Sequence, residues 1–149
     1  MSQNWDKIRV NITNNLNSSG LTASSQHAAE GEFVDNPGNI PANSSAAPGT
    51  GTFKAQSYGG NTWSGVKGTV VYSLSDGTQM NVSFYVSFYD GPLNGSYYDV
   101  GFLGANASKY TNLTNTQDHK KTLGGNGKYV TWTLSVDLAP SSYPDPEAA

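Results

Sequence analysis

Hydrophobic and polar residues alternate along most of the chain. Ile8, Val10 and Ile12 are interleaved with Lys7, Arg9, Asn11 and Thr13, the period of a strand with one wet face. The rhythm returns in Val70, Tyr72 and Leu74, then in Met80, Val82, Phe84, Val86 and Phe88. Near the end Val130, Trp132, Leu134, Val136 and Leu138 alternate with Tyr129, Thr131, Thr133, Ser135 and Asp137. Residues 52–57 read as a further strand, with Phe53 and Ala55 on one face. Short strands are expected at 21–23 and 32–34, between turns at Gly20, Gly31 and Pro37-Gly38. Residues 41–51 read as a loop, because Pro48, Gly49 and Gly51 break any element. No segment keeps a 3.6-residue period, and residues 105–123 hold a helical turn at most.

The Asp76-Gly77 step is the strongest turn signal. A two-residue turn would pair Ser75 with Thr78 and so turn Met80, Val82 and Phe84 away from the face of Tyr72 and Leu74, leaving one apolar row in water. A three-residue loop, with Gly77 in the left-handed position, instead pairs Leu74 with Thr78, Tyr72 with Met80 and Val70 with Val82. The apolar pattern selects this second register. Short strands about every 8–12 residues, with Gly- and Asn-rich turns, predict an all-β, single-domain antiparallel β-sandwich. Residues 1–138 form that domain, and residues 139–149, with Pro140, Pro144 and Pro146, form a disordered tail.

Composition narrows the class. The 149 residues hold no Cys, which removes disulfides and thiolate metal sites. Charged residues are 13%, against roughly 25% in an average domain, and Asn, Ser and Thr take their place. The net charge is -3, and the bases are scattered along the sequence without the positive stripe that phosphate neutralisation needs, which argues against nucleic acid as a partner. No apolar run approaches the ~18 residues of a membrane helix. The polar start, MSQNWDKIRV, lacks the apolar segment of a signal peptide, so the expectation is release without a classical signal.

Catalytic chemistry finds few footholds. His27 and His119 are the only imidazoles, both in segments read as polar loops, and no G-x-S-x-G elbow occurs. Asp90 and Asp99 flank one loop but match no known cation loop in spacing or ligand number. The Gly124-Gly125-Asn126-Gly127 run follows no predicted strand and opens no helix, so it reads as a hairpin turn rather than a phosphate cradle. Glu30 and Glu32 are the only well-placed Glu pair. The expectation is a non-enzyme with no metal and no cofactor.

The aromatic residues carry more information. With Phe84, Val86 and Phe88 in the core, Tyr85 falls on the outer face, while Tyr89, Tyr97 and Tyr98 gather around the loop Gly91-Pro92-Leu93-Asn94-Gly95. Trp63 sits in a second Gly-rich segment. Tyr and Trp join an apolar body to a polar tip, which suits a membrane interface, a choline group or a sugar.

The opening KIRVNITNN from Lys7, the stretch GVKGTVVYSLSDG from Gly65, the strand ending in FYDGP from Phe88 and the run GGNGKYVTWTL from Gly124 resemble the aegerolysin family. The likeness is nearest to the small component of binary insecticidal toxins and covers roughly residues 5–138. The segments VSFYD from Val86 and YYDV from Tyr97 also look like the head-group region of the actinoporin cytolysins. The resemblance implies an aegerolysin/actinoporin-like sandwich that recognises membrane lipids, sphingolipid- or sterol-rich, and forms pores with a larger partner protein. It implies lipid head-group contacts from Trp63, Tyr85, Tyr89, Asp90, Tyr97 and Tyr98, and action at a target-cell membrane. Trp5 and Ile8 open the first strand with no amphipathic helix ahead of it, which points to dependence on the partner. A homo-oligomer stays open, and a carbohydrate-binding lectin of similar fold is the alternative.

Overall fold

The computed structural model describes residues 6–57, 65–87, 95–121 and 127–140. Their strands are β1 (Lys7–Asn14), β2 (Thr22–Glu30), β3 (Glu32–Asp35), β4 (Gly49–Gln56), β5 (Val66–Ser73), β6 (Gln79–Val86), β7 (Tyr97–Leu103), β8 (Tyr110–Thr111), β9 (Asn115–Lys121) and β10 (Lys128–Leu138). A 3-10 turn, Ala107–Lys109, precedes β8. One sheet runs β3-β4-β1-β10, with both β8 and β9 on the far edge of β10; the other runs β2-β5-β6-β7. Among the described residues all strand pairings but one are antiparallel: β1 and β10 run parallel, with Val10 beside Trp132. The fold is therefore an all-β sandwich, antiparallel in all but this central pair.

The alternating residues close the core. Val10, Phe53, Trp132, Tyr72, Met80 and Phe84 are all buried between the sheets. Phe33 of β3 bridges the two layers, with its ring centroid 5.9 Å from Phe53 and 6.2 Å from Phe84. Gly68 makes room beneath Phe84, since a Cβ there would stand 2.9 Å from Cζ of that ring. The loop after β5 has the three-residue form: the amide of Leu74 donates to the carbonyl of Thr78 at 2.8 Å, Gly77 has φ of 89°, and Tyr72 pairs with Met80.

Several expectations need correction. β2 spans nine residues, TASSQHAAE, where only 21–23 carried a strand signal. It is an edge strand with two register shifts, and it is held by polar contacts rather than by an apolar row. The hydroxyl of Ser24 donates to the carbonyl of Val71, and the Gln26 amide donates to Asn36. β4 begins at Gly49, inside the expected loop, because residues 49–51 pair with Asn14, Thr13 and Ile12 of β1; the chain there lies so close to Pro41 that a Cβ at Gly49 would meet its carbonyl oxygen at 2.0 Å. His27 and His119 stand in β2 and β9, not in loops. The last expected tail residues, 141–149, lie outside the described residues.

Candidate functional site

The registers bring one end of every long strand together. The starts of β1, β5, β7 and β10 and the ends of β4, β6 and β9 all meet there, in the pairs Lys7–Gln56, Val66–Val86, Tyr85–Tyr97 and Lys121–Lys128. Polar contacts tie the layers at this end. The Lys128 ammonium donates to the carbonyl of Ser87 at 2.7 Å, joining β10 to the end of β6, and the Lys128 amide donates to the Asp6 carboxylate at 2.9 Å. The Asp6 amide donates to the Ser57 hydroxyl, and the Ser87 amide donates to that of Ser96.

Of the six expected lipid-contact residues, Trp63, Tyr89 and Asp90 lie outside the described residues. Tyr85 and Tyr97 are brought together. They are directly opposed across β6 and β7 on the outer face of the four-stranded sheet, with ring centroids 5.9 Å apart. The row continues across the sheet as Glu30, Lys67, Tyr85 and Tyr97. The Lys67 ammonium turns toward the Tyr85 ring, 5.4 Å from its centroid, a cation–π arrangement. Glu30, next to Lys67 in register, keeps one buried carboxylate oxygen without a hydrogen-bond partner. Neither Glu30 nor Lys67 was singled out for this site from the sequence, and only the strand register places them beside the tyrosines.

Tyr98 does not join them. It is adjacent to Tyr97 in a strand, so the two rings point to opposite faces. Tyr98 faces inward, edge-on to Trp132 at 5.7 Å and to His119 at 5.9 Å. Its buried hydroxyl has no hydrogen-bond partner, and burial, reinforced by the charge of Asp6, pushes its pKa up to about 12. Asp99, in the next outward row, is paired with Ser83 and lies in β7 rather than in a cation-binding loop. Among the described residues no group of His, Asp and Glu has the makings of a metal site, and no helix is long and apolar enough to cross a membrane.

A sandwich of two sheets in this strand order is a fold that solved structures share. The chain is similar to the lipid-binding protein Nakanori, with a TM-score of 0.59 at 12% identity over 87% of this chain and 71% of that one. It is also similar to RahU protein, solved in complex with a TRIS molecule, with a TM-score of 0.51 at 13% identity over 87% of this chain and 94% of that one. No family model matches the sequence, and no curated protein matches it significantly.

Proposed function

We propose that this protein is an aegerolysin-family membrane-recognition protein that contacts lipid head groups through the Tyr85–Tyr97 pair and its row. The observation that carries the reading is that pair, set beside Lys67 and an unpartnered Glu30 oxygen on an outer face at the loop end. Partly exposed aromatic rings gain from entering the head-group layer, while Lys67 and Glu30 offer opposite charges to a zwitterion's phosphate and amine. The fold shared with the lipid-binding Nakanori supports it. On this reading the chain is not an enzyme and acts at a target membrane as the small component of a toxin that makes pores with a larger protein. Co-sedimentation with vesicles of varied sphingolipid, sterol and anionic lipid content is the test. Selective binding that Tyr85→Ala with Tyr97→Ala removes, in a folded variant, supports the reading; absence of binding to every composition rejects it.

Carbohydrate binding is the second reading, and a different spot favours it. Asn81 keeps a buried side-chain oxygen without a partner, and its neighbour Gly101 has open space where a Cβ would stand. A sugar over the open face at Gly101 would meet this amide once the Asn81 side chain turned outward. Saturable binding on a glycan array, lost in Asn81→Ala, would favour this reading over the lipid one.

A further inference from the structure

The outer face of the other sheet carries a feature that the linear sequence hides. Alternation turns Lys7, Arg9, Lys54, Gln56, Tyr129 and Thr131 outward on three adjacent strands. The registers place Arg9 directly opposite Lys54, and Lys7 between Gln56 and Tyr129. Positions 9 and 54 are far apart in sequence, so bases that look scattered along the chain converge on one face. Two like charges directly opposed across an antiparallel pair destabilise a sheet. Lys54 is offset by Asp35 at 3.4 Å, whereas Arg9 has no acidic partner among the described residues. The other acids on this side sit on the edge strands: Glu32 beside Gln56, and Asp118, which pairs with Lys120 at 3.8 Å.

Next to this charge pair lies a small depression of about 190 Å³, lined by Lys7, Val34, Lys54, Gln56 and Tyr129. Val34 reaches it because a register shift between Phe33 and Asp35 leaves Val34 out of the ladder and 47% exposed. Bulges of this kind commonly re-aim a side chain toward a site. Lys7, Lys54, Gln56 and Tyr129 line this hollow, with the Lys54 ammonium also facing Asp35, and Arg9 stands directly opposite Lys54 on β1; a guanidinium there can bind two oxygens of a tetrahedral oxyanion held by Lys54.

We propose that the Arg9–Lys54 pair, at the side of this hollow, is a phosphate-binding site, in which a phosphomonoester group bridges Arg9 and Lys54 and relieves their mutual repulsion. The site lies on the opposite sheet from the Tyr85–Tyr97 pair and does not depend on the lipid reading of that pair. The group could be carried by a soluble molecule or by a membrane lipid, and the two sources separate in one experiment. The full-length protein is titrated with inorganic pyrophosphate while amide NMR shifts are followed, and is sedimented with phosphatidylcholine vesicles with and without phosphatidic acid. Saturable pyrophosphate shifts centred on Arg9, Lys54 and Tyr129 establish a site for a soluble phosphate. Sedimentation that requires phosphatidic acid, without a pyrophosphate response, establishes a site for a membrane-held one. In either case Arg9→Gln with Lys54→Gln should weaken binding roughly tenfold or more. Asp35→Asn, which frees Lys54, should strengthen it about threefold, a gain that damage to the fold would not produce. No response to either probe, or a response that the double variant keeps, overturns the proposal. Failure on neutral sphingolipid vesicles would count against the tyrosine pair alone.

Discussion

At the end of the sandwich that holds the Asp76-Gly77 loop, buried side chains bond the backbone of several segments; at the end that holds Tyr97, a tyrosine pair lies on the outer face beside two oxygens without a hydrogen-bond partner. The first end is knitted by side chains that bond the backbone. Buried Asn14 donates to the carbonyls of Ser19 and Pro41 and accepts from the amide of Leu16. The Asp137 carboxylate accepts from the Ser135 hydroxyl, the Leu113 amide and the Asn15 side chain, so it pins three segments at once. Asp76 accepts from the Tyr110 hydroxyl at 2.6 Å, linking the two layers. Among the described residues the Thr78 hydroxyl and, near the start of β6, the Asn81 side-chain oxygen lack a partner on this side. The Tyr97 end leaves a Glu30 oxygen and the Tyr98 hydroxyl unpaired, and it exposes a tyrosine pair. Unpaired buried groups cost stability, and a protein tolerates them most readily where a ligand or a moving segment can use them. On the proposed reading the tyrosine end would meet a ligand, and the knitted end would serve the fold.

The largest expected effect tests the knitted end. Asn14→Ala strands two carbonyls and one amide in a buried site, and should lower the unfolding free energy by about 3 kcal/mol or more in denaturant titrations. Vesicle binding by the surviving folded fraction should be unchanged. Next, Tyr85→Ala with Tyr97→Ala should cost only about 1 kcal/mol of stability, since both rings are half exposed, yet reduce vesicle binding roughly tenfold or more. A stability loss as large as that of Asn14→Ala would mean that the tyrosines serve the fold, and the contrast between the ends would collapse.

Tyr98→Phe sharpens the comparison from the other side. It removes a buried hydroxyl with no partner and keeps the ring on Trp132, so stability should be unchanged or rise by up to about 1 kcal/mol. Binding should not change, because the ring faces inward; a loss of binding would place Tyr98 in the site after all.

The smallest effect concerns pH and the link across the layers. The hydrogen bonds from Tyr110 and from the Thr78 amide hold the Asp76 carboxyl below its usual pKa. Burial and the Asp76 hydrogen bond push the Tyr110 hydroxyl from 10.0 up to about 12. Asp76 therefore adds stability above its unfolded-state pKa, and this is lost as pH falls through its lower folded value. Tyr110 adds stability that is fully present below pH 10.0 and lost as pH rises through about 12. Tyr110→Phe should flatten both limbs of the stability–pH curve by under about 1 kcal/mol, because Asp76 is largely exposed. Unchanged limbs would show that this link contributes nothing.

Period-2 patterning alone determined the sandwich, the strands built on Ile8, Val70, Val82 and Val130, and the three-residue loop at Gly77. Burying one apolar row excludes every other register, so local sequence was sufficient there. It also placed Tyr85 on the outer face. The same rule separates Tyr97 from Tyr98, but only once β7 is known to begin at Tyr97 rather than after a longer loop. β2 escaped because an edge strand held by Ser24 and Gln26 needs no apolar row, and so leaves no periodic signal. The parallel pairing of β1 with β10, the Glu30–Lys67–Tyr85–Tyr97 row and the meeting of Arg9 with Lys54 were decided by tertiary structure. Each depends on which strands become neighbours across long stretches of chain, and hydrogen bonding between backbones carries no mark in the side chains that it brings together.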